Sequence, residues 1–325
     1  MNAAPLVTIA IPTFNRAEGY LSEALESALG QTYSNLEILV SDNCSTDGTK
    51  ALVTSISDPR LRYVRHEQNI GQRKNYAFCF EQAKGAYVLL LHDDDTVDDD
   101  FVSTCVEAAG AGDAAAIIRT GVRLMNAQGK VTHQITNEAA RLPIDTFFRS
   151  WFAGRAPIYC CNTLFSREKL LEVGGFESKH YCYPDTAAIF KLAARYPRID
   201  VREAKANYRI HGGEVTYSRT IGDWCEDSLE LLHLMCELVP EQSKNEVAKL
   251  GTRFFAKANY VRASAGRSPT ERAAAVMKVM RYFNYRELPS RHHLLNVLYG
   301  TRMYNAARAI KRRALNCCRG AAAPQ

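Results

Sequence analysis

The residues best placed to do chemistry are His92-Asp93-Asp94-Asp95, which follow directly on the apolar run Leu89-Leu90-Leu91. A run of this kind is cheap to bury as a strand, whereas three adjacent carboxylates at its tip are costly without a positive partner. Two arrangements satisfy them. One is a solvated loop; the other is a divalent cation held by carboxylate oxygens, with waters and a substrate phosphate completing its shell. A calcium loop of EF-hand type is excluded, because the spaced Asp-x-Asp-x-Asp-Gly pattern is absent.

The flanking sequence supplies elements that could position such a cluster. Leu6 to Ile11 and Leu36 to Ser41 read as buried strands, rich in Val, Ile and Leu without polar alternation. Between them Leu21, Ala24, Leu25, Ala28 and Leu29 share one helical face. A strand at Leu61 to Arg65, a helix from Gln72 to Lys84 and a strand from Ala86 to Leu91 follow. Strands alternating with helices predict a parallel sheet covered by helices, in which ligands bind beyond the carboxyl ends of the strands. Three of those ends carry polar clusters: Pro12-Thr13-Phe14-Asn15-Arg16, Asp42 to Gly48, and His92 to Asp95. From Gly110 to about Val215 the pattern is mixed, with Ala114 to Thr120, Gly121 to Asn126 and Cys160 to Phe165 extended and Pro184 to Arg195 helical. Beyond Tyr217 it is almost wholly helical, with breaks near Pro240, Gly266 to Pro269 and Pro289.

Composition narrows the classes. The 325 residues, 46% hydrophobic and 23% charged, form an ordinary globular mixture with room for one large domain and an extension. The ten cysteines are single or directly adjacent, as at Cys160-Cys161, with no CxxC pair. With no signal-peptide pattern at the start, reduced thiols and a cytoplasmic location are expected. No stretch approaches the roughly 18 apolar residues of a spanning helix. The net charge of +6 is unevenly spread: from Glu241 onward 17 Lys and Arg face 4 Asp and Glu, a net +13, against −7 before it. An anionic partner for the basic part is the natural expectation.

The ordered motifs carry a resemblance. Val7 to Arg16 is followed by Leu29-Gly30-Gln31-Thr32-Tyr33 and by Glu37 to Thr49; then come Asn69-Ile70-Gly71, Asn75, Gly85 and His92-Asp93-Asp94-Asp95. Gly174-Gly175-Phe176, Pro184-Asp185 and Tyr208-Arg209-Ile210-His211 complete the series. Over residues 5 to 215 this resembles the family 2 glycosyltransferases, inverting enzymes that use nucleotide sugars. The resemblance implies the GT-A fold, a Rossmann-like α/β architecture with a mostly parallel sheet flanked by helices. Here it would span 1–215, with a nucleotide-sugar-binding half (1–110) and an acceptor half (111–215), and carry a helical basic C-terminal extension over 216–325.

The resemblance also implies roles. Pro12, Thr13, Phe14 and Asp42 would form the donor-base pocket, Phe14 offering a ring face and Asp42 an acceptor for a base N–H. Arg16 and Arg73 would meet diphosphate oxygens, for which guanidinium is well suited. The family's Asp-x-Asp-Asp aligns with His92 to Asp95, so His92 replaces the first aspartate. Asp94 would be the principal ligand of a divalent metal (Mn2+ or Mg2+), Asp95 its support, and Asp93 would lie near the donor ribose, while His211 would approach the metal or diphosphate. Asp185, where the family has a Glu-Asp pair before an apolar helix, would be the general base that takes the proton of the acceptor hydroxyl.

The implied reaction moves a sugar from a nucleoside-diphosphate donor, UDP-linked by preference, to a glycan or lipid-linked acceptor in cell-surface polysaccharide synthesis. Two alternatives are a nucleotidyltransferase of similar fold, which would want a glycine-rich basic loop that Pro12 to Gly19 does not supply, and a non-catalytic nucleotide-sugar-binding protein. In the tail, Leu295, Tyr299, Met303, Ala307, Ile310 and Ala314 form one helical stripe opposite Arg302, Arg308, Lys311 and Arg312. Such a helix either packs on the catalytic domain or makes peripheral contact with the inner membrane face. No nucleic-acid-binding module is recognisable.

Overall fold

The computed structural model describes residues 4–110, 115–211, 219–264, 268–291 and 293–295. They divide into two compact units, Met1–Tyr217 with Leu234–Val247, and Ser218–His233 with Ala248–Gln325.

The first unit is α/β. Its strands are β1 (Val7–Thr13), β2 (Leu36–Asp42), β3 (Leu61–Arg65), β4 (Tyr87–Leu90), β5 (Thr96–Val97), β6 (Ile117–Asn126), β7 (Val131–Ile135), β8 (Thr163–Ser166) and β9 (Arg198–Ile210). Interspersed are α1 (Leu21–Leu29), α2 (Thr49–Thr54), α3 (Gln72–Gln82), α4 (Phe101–Ala109), α5 (Ile144–Phe152), α6 (Arg167–Glu172) and α7 (Pro184–Arg195). One sheet runs β3-β2-β1-β4-β8-β6-β9-β5, with β7 alongside β6. Its β3-β2-β1-β4 half is parallel. Beyond β4 the pairing is mixed: β8 is antiparallel to both β4 and β6, β9 is parallel to β6, and β5 is antiparallel to β9.

Helices cover both faces of a parallel sheet, so its strands are continuously apolar, and β1, β2 and β4 are buried along their whole length. The predicted stripe of α1 is its buried face, with Leu21, Ala24, Leu25 and Ala28 in the core. Gly85 lies where chain segments nearly touch: a Cβ there would sit 2.6 Å from the Thr8 nitrogen and 2.7 Å from the Tyr87 oxygen.

Two predicted elements differ. The extended segments either side of Gly121 are one strand, β6, because Gly121 does not break it. Its missing side chain admits the Ile135 carbonyl, which a Cβ would meet at 2.6 Å. Cys160 and Cys161, predicted as part of a strand, form a turn before β8 in which Thr163 N–H bonds the Cys160 carbonyl (3.1 Å).

The parallel β6–β9 pair is anchored at its far end by buried charge. Arg119, wholly buried, donates to Asp200 Oδ1 through Nε (3.0 Å) and Nη2 (2.6 Å), and Arg198 donates to Oδ2 (2.8 Å). Burial by itself would push the Asp200 carboxyl up; the charges of Arg119 and Arg198 outweigh it and hold Asp200 below its ordinary value. Phe147 packs under both guanidinium groups, at 4.7 and 4.4 Å. Fixed in this way, β9 delivers Arg209 and His211 to the opposite end of the sheet.

The second unit is helical where described, built from parts of α8 (Ile221–Leu238) and α9 (Glu241–Ala263) and from α10 (Pro269–Tyr282). Ser268 and Glu271 form a capping box that satisfies the exposed amides at the start of α10. Arg262 lies 3.9 Å above the Trp224 ring, and Asn259 bonds the buried Ser228 hydroxyl at 3.0 Å. Among the described residues no helix is long and apolar enough to cross a membrane. The basic helix expected after Leu295 lies outside the described residues.

Candidate active site

The carboxyl ends of β2, β1 and β4 are neighbours, so the three polar clusters meet at one edge of the sheet. Thr13 stands opposite Asp42 in the β1–β2 register. The loop after β1 is tied to the loop after β2: Asn15 N–H donates to Ser45 Oγ (2.8 Å), Thr46 N–H to Asn15 Oδ1 (2.8 Å) and Ala17 N–H to Asp47 (3.0 Å). Asn15 and Cys44 take positive φ (53° and 67°) at these corners. Phe14 is left 42% exposed, so its ring is not core packing and its face is open to a planar ligand. Pro12 lies within β1 and is buried beside Thr13.

Asp42, at the end of β2, is fully buried. Its Oδ1 accepts from Ser45 N–H (2.8 Å), and its Oδ2 accepts from the Tyr63 hydroxyl (2.5 Å) with Arg65 Nε 3.7 Å away. Both oxygens are therefore engaged by the turn and by β3. Tyr63 and Arg65 escaped the sequence reading, since only the β2–β3 pairing reveals that they face Asp42.

The loop after β4 gathers the second cluster. Ligand-capable atoms of His92, Asp94 and Asp95 lie within 4.8 Å of one another. His211, reached from the end of β9, places Nε2 2.9 Å from Asp94 Oδ2. His92 stacks on Tyr76 (centroids 5.3 Å apart), and its Nε2 is buried without a hydrogen-bond partner. Arg16 Nε approaches Asp93 Oδ1 at 3.7 Å. Burial first, and the neighbouring Asp94 charge second, push the Asp93 carboxyl up to about 6 and push Asp95 up as well. Such a cluster is short of positive charge. An imidazole nitrogen gathered with two carboxylate oxygens is a donor set that suits Mn2+, and with fewer nitrogen contacts Mg2+, so the residues present fit a divalent metal. Asp94, Asp95 and His211, singled out from the sequence, are thus brought together. His92, read there only as a replaced aspartate, joins them as a further donor.

One supporting group was not legible in the sequence. Arg209, 1% exposed, donates from its backbone N–H to Asp95 Oδ1 (2.9 Å), from Nε to the Asp94 carbonyl (2.8 Å) and from Nη2 to Glu23 (2.6 Å). Its guanidinium also covers the Tyr20 ring at 4.1 Å. It fixes the backbone of the carboxylate loop against the start of α1.

Asp185 lies in the first turn of α7, partly buried, where negative charge suits the helix dipole. Cys160 Sγ lies 3.6 Å from its Oδ2. Arg73 is committed elsewhere: it pairs with Glu177, in the loop after Gly174-Gly175-Phe176, and lies 5.8 Å over the Tyr181 ring. Both partners are about half exposed, and an ion pair of that kind is weak enough for a phosphate to displace it.

Comparisons with known proteins agree with the fold. The model of glycosyl transferase family 2 matches residues 8–174. The succinoglycan biosynthesis protein ExoO of Rhizobium meliloti is 33% identical over 144 residues, covering 44% of this chain and 41% of the relative. The first three curated relatives are matched over only 13% to 65% of their own lengths. Among solved structures, S. aureus TarS 1–349 in complex with UDP-GlcNAc superposes with a TM-score of 0.60 at 15% identity, over 85% of this chain and 89% of that one. The mannosyltransferase PcManGT from Pyrobaculum calidifontis, in complex with GDP-Man and Mn2+, gives 0.55 at 18% identity, over 91% and 87%. These two likenesses establish the GT-A fold, and the family model, which matches half of the sequence with the carboxylate loop inside it, shows that the chain belongs to glycosyl transferase family 2.

Proposed function

We propose that the protein transfers a sugar from a nucleoside diphosphate to a hydroxyl of a glycan or lipid-linked acceptor, with inversion at the anomeric carbon. The observation that carries this reading is the cluster of His92, Asp94, Asp95 and His211 at the sheet edge, next to the strand ends that carry Phe14 and Asp42. A UDP-linked donor is favoured, in keeping with the UDP-GlcNAc held by TarS, while PcManGT holds GDP-Man. Residues 1–215 would form the catalytic region, 1–110 taking the donor and 111–215 the acceptor.

In this reading Phe14 stacks on the base. A base N–H reaches Asp42 by sharing Oδ2 with, or displacing, the Tyr63 hydroxyl. Asp93, paired with Arg16, faces the ribose. Arg16 and Arg73 bind diphosphate oxygens, Arg73 after leaving Glu177. Asp94, Asp95, His92 and His211 would hold a divalent metal, whose charge offsets that developing on the leaving diphosphate. Because that diphosphate leaves as a stable anion, no protonating acid is required, unlike glycoside hydrolysis. The remaining need is one base, and Asp185 takes the acceptor proton.

The test is a panel of UDP-, dTDP- and GDP-sugars with Mn2+ and a sugar acceptor, the product's anomeric configuration being read by NMR. Inverted product is expected. Retained configuration would remove the single-displacement mechanism, and no diphosphate release from any donor would remove the activity.

The same reading gives the basic sequence beyond Leu295 a role at an anionic membrane carrying a lipid-linked acceptor. Near such a surface each accessible Lys or Arg contributes roughly 1 kcal/mol, decaying over a Debye length of about 8 Å at physiological salt. In vesicle sedimentation the full chain should bind anionic but not neutral vesicles. Binding should weaken with salt and on changing Arg308, Lys311, Arg312 and Arg313 to Gln. Equal binding to both vesicle types, or to neither, would contradict it.

A further inference from the structure

Cys160 and Cys161 are adjacent and buried. Cys160 Sγ lies 3.6 Å from Asp185 Oδ2 in α7. The turn that holds them leads straight into β8, which is pinned between β4 and β6. Neither thiol has freedom to drift, because the sheet sets the position of the turn.

We infer that Cys160 is a positioning residue for the catalytic carboxylate: its thiol donates to Asp185 Oδ2 and holds that group in one orientation. This rests on the reading of Asp185 as general base. Three observations support it. The sulfur is within hydrogen-bonding distance of one carboxylate oxygen. Among the described residues the other oxygen has only a long contact, 3.4 Å, from the adjacent Thr186 hydroxyl, which leaves acceptor capacity for a substrate proton. Burial, and next the Asp185 charge, push the Cys160 thiol far up, so it remains a protonated donor at neutral pH and is not a nucleophile.

The experiment compares Cys160→Ala and Cys160→Ser with wild type and with Asp185→Asn, using UDP release from UDP-glucose and UDP-GlcNAc, or GDP release from GDP-mannose, with Mn2+ and water as acceptor. Cys160→Ala should lower kcat about five- to tenfold, the scale of one hydrogen bond, with donor KM unchanged. Cys160→Ser, which restores a donor, should recover most of the kcat, although a buried hydroxyl gains no stability over alanine in a melt. A role in packing alone would leave kcat untouched or move both variants together, and either result would overturn the inference. The two readings fail separately. A wild-type rate for Asp185→Asn removes the base assignment and this inference with it, whereas a slow Asp185→Asn beside a fully active Cys160→Ala removes only the role of Cys160.

Discussion

A folded Asp185→Asn protein should turn over at least about a hundredfold more slowly than wild type while binding nucleoside diphosphate with unchanged affinity, since general-base catalysis commonly contributes that much or more. The amide keeps the shape of the side chain and can still meet Cys160, but it has no lone pair basic enough to take a hydroxyl proton. Asp185 is placed by the start of α7, at the second residue after Tyr183, so the change leaves the helix and the sheet edge intact. Pre-steady-state turnover and calorimetric binding of UDP separate the two effects. Loss of donor affinity in the mutant would put Asp185 in the donor site, and an unchanged rate would put the base elsewhere.

Asp94→Asn should weaken divalent-metal affinity by more than about a hundredfold, beyond the loss seen when only an outer partner of a metal ligand is changed. Asp94 is the carboxylate common to the cluster: it groups with His92 and Asp95 and lies 2.9 Å from His211 Nε2. Asparagine preserves the volume and the Arg209 contact, which runs to the Asp94 backbone carbonyl and not to its side chain. Only the charge is lost, and a hard cation depends on it. Mn2+ titration of turnover measures the effect; full activity of the folded mutant at limiting metal would remove Asp94 from the site.

The sequence made local features legible and left distant ones hidden. Apolar runs ending in polar clusters marked the ends of β1, β2 and β4, because a strand buried on both faces leaves its own signature. Pro184-Asp185 before an apolar stretch likewise marked the start of α7, where proline suits the first turn. Arg209, by contrast, bonds Asp95 across 114 positions, and the two meet through the β5–β9 pairing, which no local pattern encodes. The contact of Tyr63 with Asp42 depends in the same way on the β2–β3 register. His92 looked like a lost aspartate, and the structure places a ligand-capable imidazole nitrogen within 4.8 Å of the Asp94 and Asp95 oxygens in its stead. Gly121 looked like a strand break, and packing made it the place where β6 meets a close neighbour.

Every role proposed above depends on the sheet edge binding a nucleoside diphosphate through a metal held by the His92–Asp95 loop. Thermal unfolding with UDP and with GDP, each with and without Mn2+, tests this without knowledge of the sugar or acceptor. A ligand that binds only the folded state at a hundred times its Kd stabilises by about 2.7 kcal/mol, a shift of several degrees for a chain of this size. Wild type should show that shift with nucleotide and Mn2+ together and a much smaller one with nucleotide alone, and Asp94→Asn should show none of the metal-dependent part. A nucleotide shift of the same size without metal, or one that survives intact in Asp94→Asn, would contradict the proposed site.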